Sequence, residues 1–335
     1  MIMRCWPRFV WPWFVVCAVA VAACGDAASL PASPGPVDSV PPSQQGCGRT
    51  SVGFTPLDQP GAVPYSGQLL GLYPGGGNDA PGAHRAAGLA LARQIVPMDA
   101  RGAPSAAGRY AFVSIGMSNT TQEFSVFKTL SDADAARDQR LVVVDGAQGG
   151  MTASEWANPA CACWTILESR LQAAGLAAPQ VAAAWVKVAN AQPTEGFPAA
   201  AERLRQHTAA VLRQLTTRFP NLRVAYLSSR IYAGYATSLL NPEPYAYESG
   251  FAMRWVIEDQ LAGRLAPGSV PWLAWGPYLW ADGLRPRADG LTWACSDFAS
   301  DGTHPSAAGR RKVSDLLLQF VRTDATAREW YLATP

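Results

Sequence analysis

The chain has 335 residues, 49% of them apolar, which is enough to bury a full core. Its formal net charge of only +2, with no long basic run and no basic-aromatic interleaving, argues against a nucleic-acid partner. Charged residues are scarce at 16%, while Gly, Pro and Trp are plentiful, a mixture suited to an extracytoplasmic α/β protein with long aromatic loops.

At the N-terminus, Arg4 and Arg8 precede an apolar stretch from Phe9 to Ala20 that is too short to cross a bilayer comfortably. Charge followed by a short apolar run reads as a secretion signal over residues 1–23. The following Val21-Ala22-Ala23-Cys24-Gly25 resembles a bacterial lipobox, which implies acylation of Cys24 and a membrane-held mature chain. Gly25 after the cysteine favours the outer membrane of a Gram-negative envelope, facing the periplasm or the cell surface. Residues 24–46 are rich in Ala, Ser, Pro and Gly without apolar periodicity and read as a flexible tether.

Of the seven cysteines, Cys5 and Cys17 fall in the signal and Cys24 in the lipobox, leaving Cys47, Cys161, Cys163 and Cys295. Four cysteines allow three pairings. A bridge between Cys161 and Cys163 spans so few atoms that each is expected to seek a distant partner or stay reduced. Zinc-ligand spacing is missing, and neither a metal nor an organic cofactor is implied.

Residues 47–108 are rich in Gly and Pro, with one helix candidate from His84 to Ile95, and read as an extension packed on the main domain. From residue 109 the pattern becomes regular. Apolar runs Tyr110–Ile115, Leu141–Val144, Val181–Val188, Leu222–Leu227 and Trp272–Trp275 alternate with helical stretches near 119–130, 161–174, 198–219, 245–262 and 305–322. Alternation of this kind predicts a three-layer α/β/α sandwich around a parallel sheet, spanning 109–323, with a short tail over 324–335. In such sheets the ligand lies beyond the carboxyl ends of the strands, so the loops after each apolar run are the place for chemistry.

After the first strand comes Gly116-Met117-Ser118-Asn119, leading into a helix. A serine at a strand-to-helix turn is placed to act as a nucleophile beside a helix N-terminus; the competing role is a helix cap. The chain has three histidines. His207 lies within an amphipathic helix and reads as solvated, and His84 opens a helix in the extension, where packing is the default role. His304 lies in Asp301-Gly302-Thr303-His304-Pro305, where a tight turn lets the Asp301 carboxylate fold back on the imidazole and fix its tautomer. Capping of a helix that begins at Pro305 would account for the aspartate and the proline but not for the histidine.

Together these segments resemble the SGNH (GDSL-like) hydrolases, whose blocks occur here in order as Gly116-Met117-Ser118-Asn119, Gly150, Asn190 and Asp301-Gly302-Thr303-His304, over residues 109–323. The resemblance implies a flavodoxin-like sandwich and a serine esterase without cofactors, with Ser118 as nucleophile and Asp301 and His304 completing the triad. It also implies an oxyanion hole made of the Ser118 and Gly150 backbone N–H groups and the Asn190 side chain. Departures from the family pattern are Met117 for the usual Asp, Lys187 for the Gly that leads the third block and Ala191 for the Asp that follows its Asn; Gly149 competes with Gly150 by one residue.

Two polar-aromatic stretches leave strand ends on the same face, Ser228–Tyr245 and Trp275–Asp282. Arg230, Tyr232, Tyr245, Trp275 and Asp282 are the candidates for substrate contact, since aromatic platforms beside charged groups suit sugar rings. Many members of the family are carbohydrate O-deacetylases, so the resemblance points to an acetyl ester on a glycan. The alternatives are a lipid or acyl-ester hydrolase, an O-acyltransferase with the same triad, and a catalytically silent glycan-binding lipoprotein.

Overall fold

A computed structural model describes residues 46–59 and 61–333. The secretion signal, Cys24 and nearly all of the tether lie outside the described residues.

Five strands form one parallel sheet: β1 (Tyr110–Gly116), β2 (Leu141–Val144), β3 (Val181–Lys187), β4 (Val224–Leu227) and β5 (Trp272–Trp275). Their order is β2-β1-β3-β4-β5. Every pairing is parallel, with Tyr110 opposite Leu141, Val113 opposite Ala184, Ala184 opposite Ala225 and Ala225 opposite Leu273. The strands are almost entirely buried, which is why their sequences run as unbroken apolar stretches without alternation.

Helices cover the sheet: α1 (Gly82–Ala92), α2 (Ser118–Asp132), α3 (Ala153–Ala157), α4 (Ala162–Ala173), α5 (Ala199–Arg218), α6 (Tyr245–Leu261), α7 (Ala307–Thr323) and α8 (Arg328–Tyr331). Helix α2 packs on α7, and α5 packs on both α6 and α3. Right-handed crossovers place the α2–α7 pair and the α5–α6 pair on opposite faces. In α5 the buried Leu204, Thr208, Val211, Leu212 and Leu215 recur at helical spacing and turn one stripe to the sheet. The fold is thus the expected α/β/α sandwich.

Residues 324–333 are more than a tail. Trp330 and Tyr331 on α8 are buried, and the Tyr331 hydroxyl lies 2.9 Å from Asp134. The extension is also bound closely to the main body. Cys47 is bonded to Cys295, the Leu57 N–H donates to Tyr278 Oη at 3.1 Å, and Arg254 donates to the Leu69 carbonyl. The other bridge joins Cys161 to Cys163, against the expectation that these two would avoid each other. Cys161 is the extended residue just before α4, and this brings the two Cα atoms to 5.2 Å, inside the normal range for a bridge.

The order β2-β1-β3 means that the chain leaves β1 toward one side of the sheet and later returns on its other side. The carboxyl end of β1 is therefore the switch point, where a crevice opens between diverging loops. Ser118 stands there, two residues past the end of β1.

Candidate active site

Ser118 occupies the first position of α2, and Met117 is the residue that caps the helix, without any side-chain hydrogen bond. The serine hydroxyl is thus free of capping duty. Its Oγ lies 2.6 Å from His304 Nε2. His304 Nδ1 lies 2.5 Å from Asp301 Oδ2. An ionised carboxylate can only accept, so Nδ1 carries the proton and Nε2 is left to accept from Ser118. The other carboxylate oxygen, Asp301 Oδ1, accepts the backbone N–H groups of Thr303 and His304 at 3.0 and 2.9 Å. Burial pushes the Asp301 carboxyl up, but the hydrogen bonds from His304 and the two backbone N–H groups outweigh it and hold it below the usual carboxylate range.

The turn that carries this pair is fixed by Gly302. Its φ is +62°, and a Cβ there would stand 1.9 Å from the Tyr235 carbonyl oxygen. The Asp301 carbonyl accepts the Thr237 N–H at 3.0 Å, holding the same turn to the segment after β4. The cap that might have claimed Asp301 is supplied elsewhere. Helix α7 begins at Ala307, and Ser306 Oγ accepts the Gly309 N–H.

The loop after β2 closes another side. Asp145 accepts from Ser114 at 2.6 Å and from the Thr121 hydroxyl on α2, and Arg170 donates to the Asp145 and Ala147 carbonyls. The Gln148 N–H donates to the Gly116 carbonyl at 3.0 Å. A Cβ on Gly149 would stand 4.0 Å from Ser118 Cβ, whereas Gly150, at φ +78°, faces open space. The loop is thus pinned with Gly149 turned toward the serine and Gly150 turned to open space.

The cleft around Ser118 is narrow and is lined by Met117, Asn119, Ala191, Arg230, Asn241 and Thr303 among others, with His304 at one wall. Asn190 is not among the lining residues, although its neighbour Ala191 is. Its Oδ1 lies 2.8 Å from His207 Nδ1, and it lines a second cavity together with Tyr245, Glu248 and Asn241. His207, expected to be solvated, is half-buried in this contact, and burial pulls its imidazole below the ordinary value. His84 is a packing residue as expected, with Nε2 2.7 Å from the Leu273 carbonyl and its ring stacked on Trp272.

Of the five proposed substrate contacts, only Arg230 lines the cleft, and Tyr245 lines the second cavity. The remaining three are corrected by their partners. The Tyr232 hydroxyl donates to the Arg49 carbonyl at 2.6 Å, and Trp275 Nε1 donates to the Leu72 carbonyl at 2.6 Å. Asp282 accepts from the Ser51 hydroxyl at 2.5 Å and the Val52 N–H at 2.7 Å. All three are buried under the extension, which they hold in place.

Three groups escaped the sequence reading. Asn119 is buried, with Oδ1 accepting the Thr120 N–H and Nδ2 without a partner among the described residues. Asn241 is likewise buried, with Oδ1 unpartnered. Beneath them, Lys187 Nζ at the end of β3 donates to both oxygens of Glu123 on α2, at 2.7 and 2.6 Å, in full isolation from water. The only signal in the sequence was position, since Asn119 follows the serine and Lys187 ends a strand.

No protein-family model matches the chain, and no curated protein sequence matches it. Solved structures with a similar arrangement include a candidate acylhydrolase of Bacteroides fragilis, at 10% identity and TM-score 0.37, covering 75% of this chain and all of that one. Others are the periplasmic domain of a lipopolysaccharide acetyltransferase from Salmonella serovar Paratyphi A (11%, TM-score 0.35, 64% and 82% covered) and a gut microbial diltiazem-metabolizing enzyme (16%, TM-score 0.37, 68% and 48% covered). At these values the likeness carries no argument for this chain.

Proposed function

We propose that this chain is an SGNH-type serine esterase that cleaves carboxylic esters by way of Ser118, His304 and Asp301. The observation that carries the reading is the continuous relay from Ser118 Oγ through the imidazole to Asp301, at 2.6 and 2.5 Å, made by a serine that caps nothing. His304 takes the hydroxyl proton as Ser118 attacks the ester carbonyl, and Asp301 stabilises the imidazolium that forms. His304 then returns the proton to the leaving alcohol, and water releases the acyl group by the same route.

The tetrahedral oxygen is held by the Ser118 N–H, one of the first-turn donors that a helix leaves unpaired, and by an N–H of the Gly149–Gly150 loop. Two side-chain amides compete for the third place: Asn190, next to the cleft-lining Ala191, and Asn119, whose Nδ2 has no partner among the described residues. Removing the true donor costs about 10²–10³ in turnover, so the Asn119→Ala and Asn190→Ala variants identify it.

The narrow cleft around Ser118 favours a short acyl group over a long chain. The substrate we propose is an acetyl ester on a carbohydrate, met by an exported chain held to the envelope through acylated Cys24. The test is hydrolysis of 4-nitrophenyl acetate together with fluorophosphonate labelling. Wild type turns over the ester and is labelled at Ser118; an unlabelled but folded protein would point instead to a binding role.

A further inference from the structure

Arg230 follows β4 on the active edge and lines the Ser118 cleft, yet it is only 2% exposed. Its Nε and Nη1 have no acceptor among the described residues. A guanidinium is always charged and presents its donors in a planar fork. Leaving such a group buried without acceptors is costly, so an orphan of this kind calls for an explanation.

Two carboxylates lie near enough to influence it, Glu123 and Glu243. Both are already engaged. Glu123 is clasped through both oxygens by Lys187. Glu243 accepts the Trp280 Nε1 and Ala233 N–H groups on one oxygen and the Tyr247 N–H on the other. Lys187 and Glu123 cancel, which leaves the Arg230 charge at the wall of the cleft without a hydrogen-bonded counter-ion. The neighbouring orphans are an amide donor, Asn119 Nδ2, and an amide acceptor, Asn241 Oδ1. Arg230, Asn119 and Asn241 thus all line one small space beside the Ser118 hydroxyl.

We infer that Arg230 is a specificity-determining residue that binds a carboxylate of the substrate, within reach of the scissile ester. The fork matches the two oxygens of a carboxylate in a way that a hydroxyl or a neutral carbonyl does not. The inference rests on the esterase reading for its placement of the scissile bond. The carboxylate belongs either to the acyl half, as in a dicarboxylic half-ester, or to the alcohol half, as in an acylated uronic acid.

Matched ester pairs distinguish these sources. Mono-4-nitrophenyl succinate is compared with 4-nitrophenyl acetate, and an O-acetylated methyl galacturonide with the corresponding galactoside. One anionic member is expected to exceed its neutral twin by about 10–100-fold in kcat/KM, the range for a charge-assisted hydrogen bond, and the responding pair identifies the half. Arg230→Met should bring that ratio close to one, and Arg230→Lys, which keeps the charge without the fork, should hold an intermediate ratio even if the Met variant does not fold. Equal turnover within both pairs, or a preference that survives Arg230→Met, overturns the inference.

Binding gives a reading that needs no turnover. Succinate or galacturonate should raise the melting temperature of Ser118→Ala but not that of Ser118→Ala/Arg230→Met; no shift by either acid overturns the inference. If no ester is hydrolysed but the acid-induced shift depends on Arg230, the esterase reading falls and the carboxylate site stands.

Discussion

Lys187 and Glu123 form an ion pair in which neither side chain touches water. The pair joins the last residue of β3 to the inner face of the helix that carries Ser118. A buried pair adds little compared with an apolar one, but breaking it strands a charge, at a loss of about 3–5 kcal/mol. Lys187→Met should therefore unfold at markedly lower urea, while Lys187→Met combined with Glu123→Leu should recover most of the loss. If the single and double variants unfold alike, the pair is not energetically coupled.

Asp301 faces the imidazole through one oxygen and the backbone through the other. Asp301→Asn keeps the shape but offers an amide where the tautomer needs an acceptor. Turnover of an aryl acetate should fall by about 10⁴, by analogy with the serine-protease triad, while circular dichroism stays unchanged.

Gly302 is required twice, by its left-handed backbone and by its approach to the Tyr235 carbonyl. Gly302→Ala must either move Tyr235 or flatten the turn that presents Asp301 and His304. The left-handed conformation alone costs a non-glycine residue about 1–2 kcal/mol. The variant should both melt earlier and lose activity, whereas a change confined to stability would show that the turn can relax without displacing the histidine.

Glu243 sets a pH dependence. Burial raises its carboxyl to about 7, against the hydrogen bonds that lower it. Between about 4.5 and 7 the folded chain keeps this proton while the unfolded chain releases it. Stability supported by the protonated group is full below the unfolded value and is lost as pH rises to about 7. Relative to Glu243→Gln, the wild type should lose a few kcal/mol across that window, as read from urea midpoints at pH 4.5 and 7.5. A difference that is flat with pH would show that Glu243 is ionised throughout.

The Cys47–Cys295 bridge closes a separation of 248 residues. Opening a native bridge typically costs about 2–5 kcal/mol. Reduction, or Cys47→Ser with Cys295→Ser, should lower the melting temperature and speed proteolysis within residues 47–58, while a melting temperature indifferent to reductant would count against a structural role for the bridge.

What could be read from the chain before its fold follows physical range. The strands were legible because buried parallel strands are written as apolar runs, and Leu141–Val144 and Trp272–Trp275 were delimited to the residue. Asp301 and His304 were legible because their partnership spans three residues of one turn. Tyr232, Trp275 and Asp282 were misplaced for the opposite reason. Their partners Arg49, Leu72 and Ser51 come from a Gly- and Pro-rich extension that has no periodicity to show which surface it covers. Arg230 was picked out for its residue type, but its lack of an acceptor depends on which other donors Glu123 and Glu243 take.

The sequence separation of 186 between Ser118 and His304 has a consequence for the newly made chain. At about 5–20 residues per second, the histidine is synthesised roughly 10–40 s after the serine. For that interval the hydroxyl has no base, and β2, β3, β4 and β5 must still be added before the turn at Gly302 can lean on Tyr235. A chain interrupted before residue 301 would therefore carry an inert nucleophile, so the order of synthesis withholds the chemistry until the body that confines it is complete.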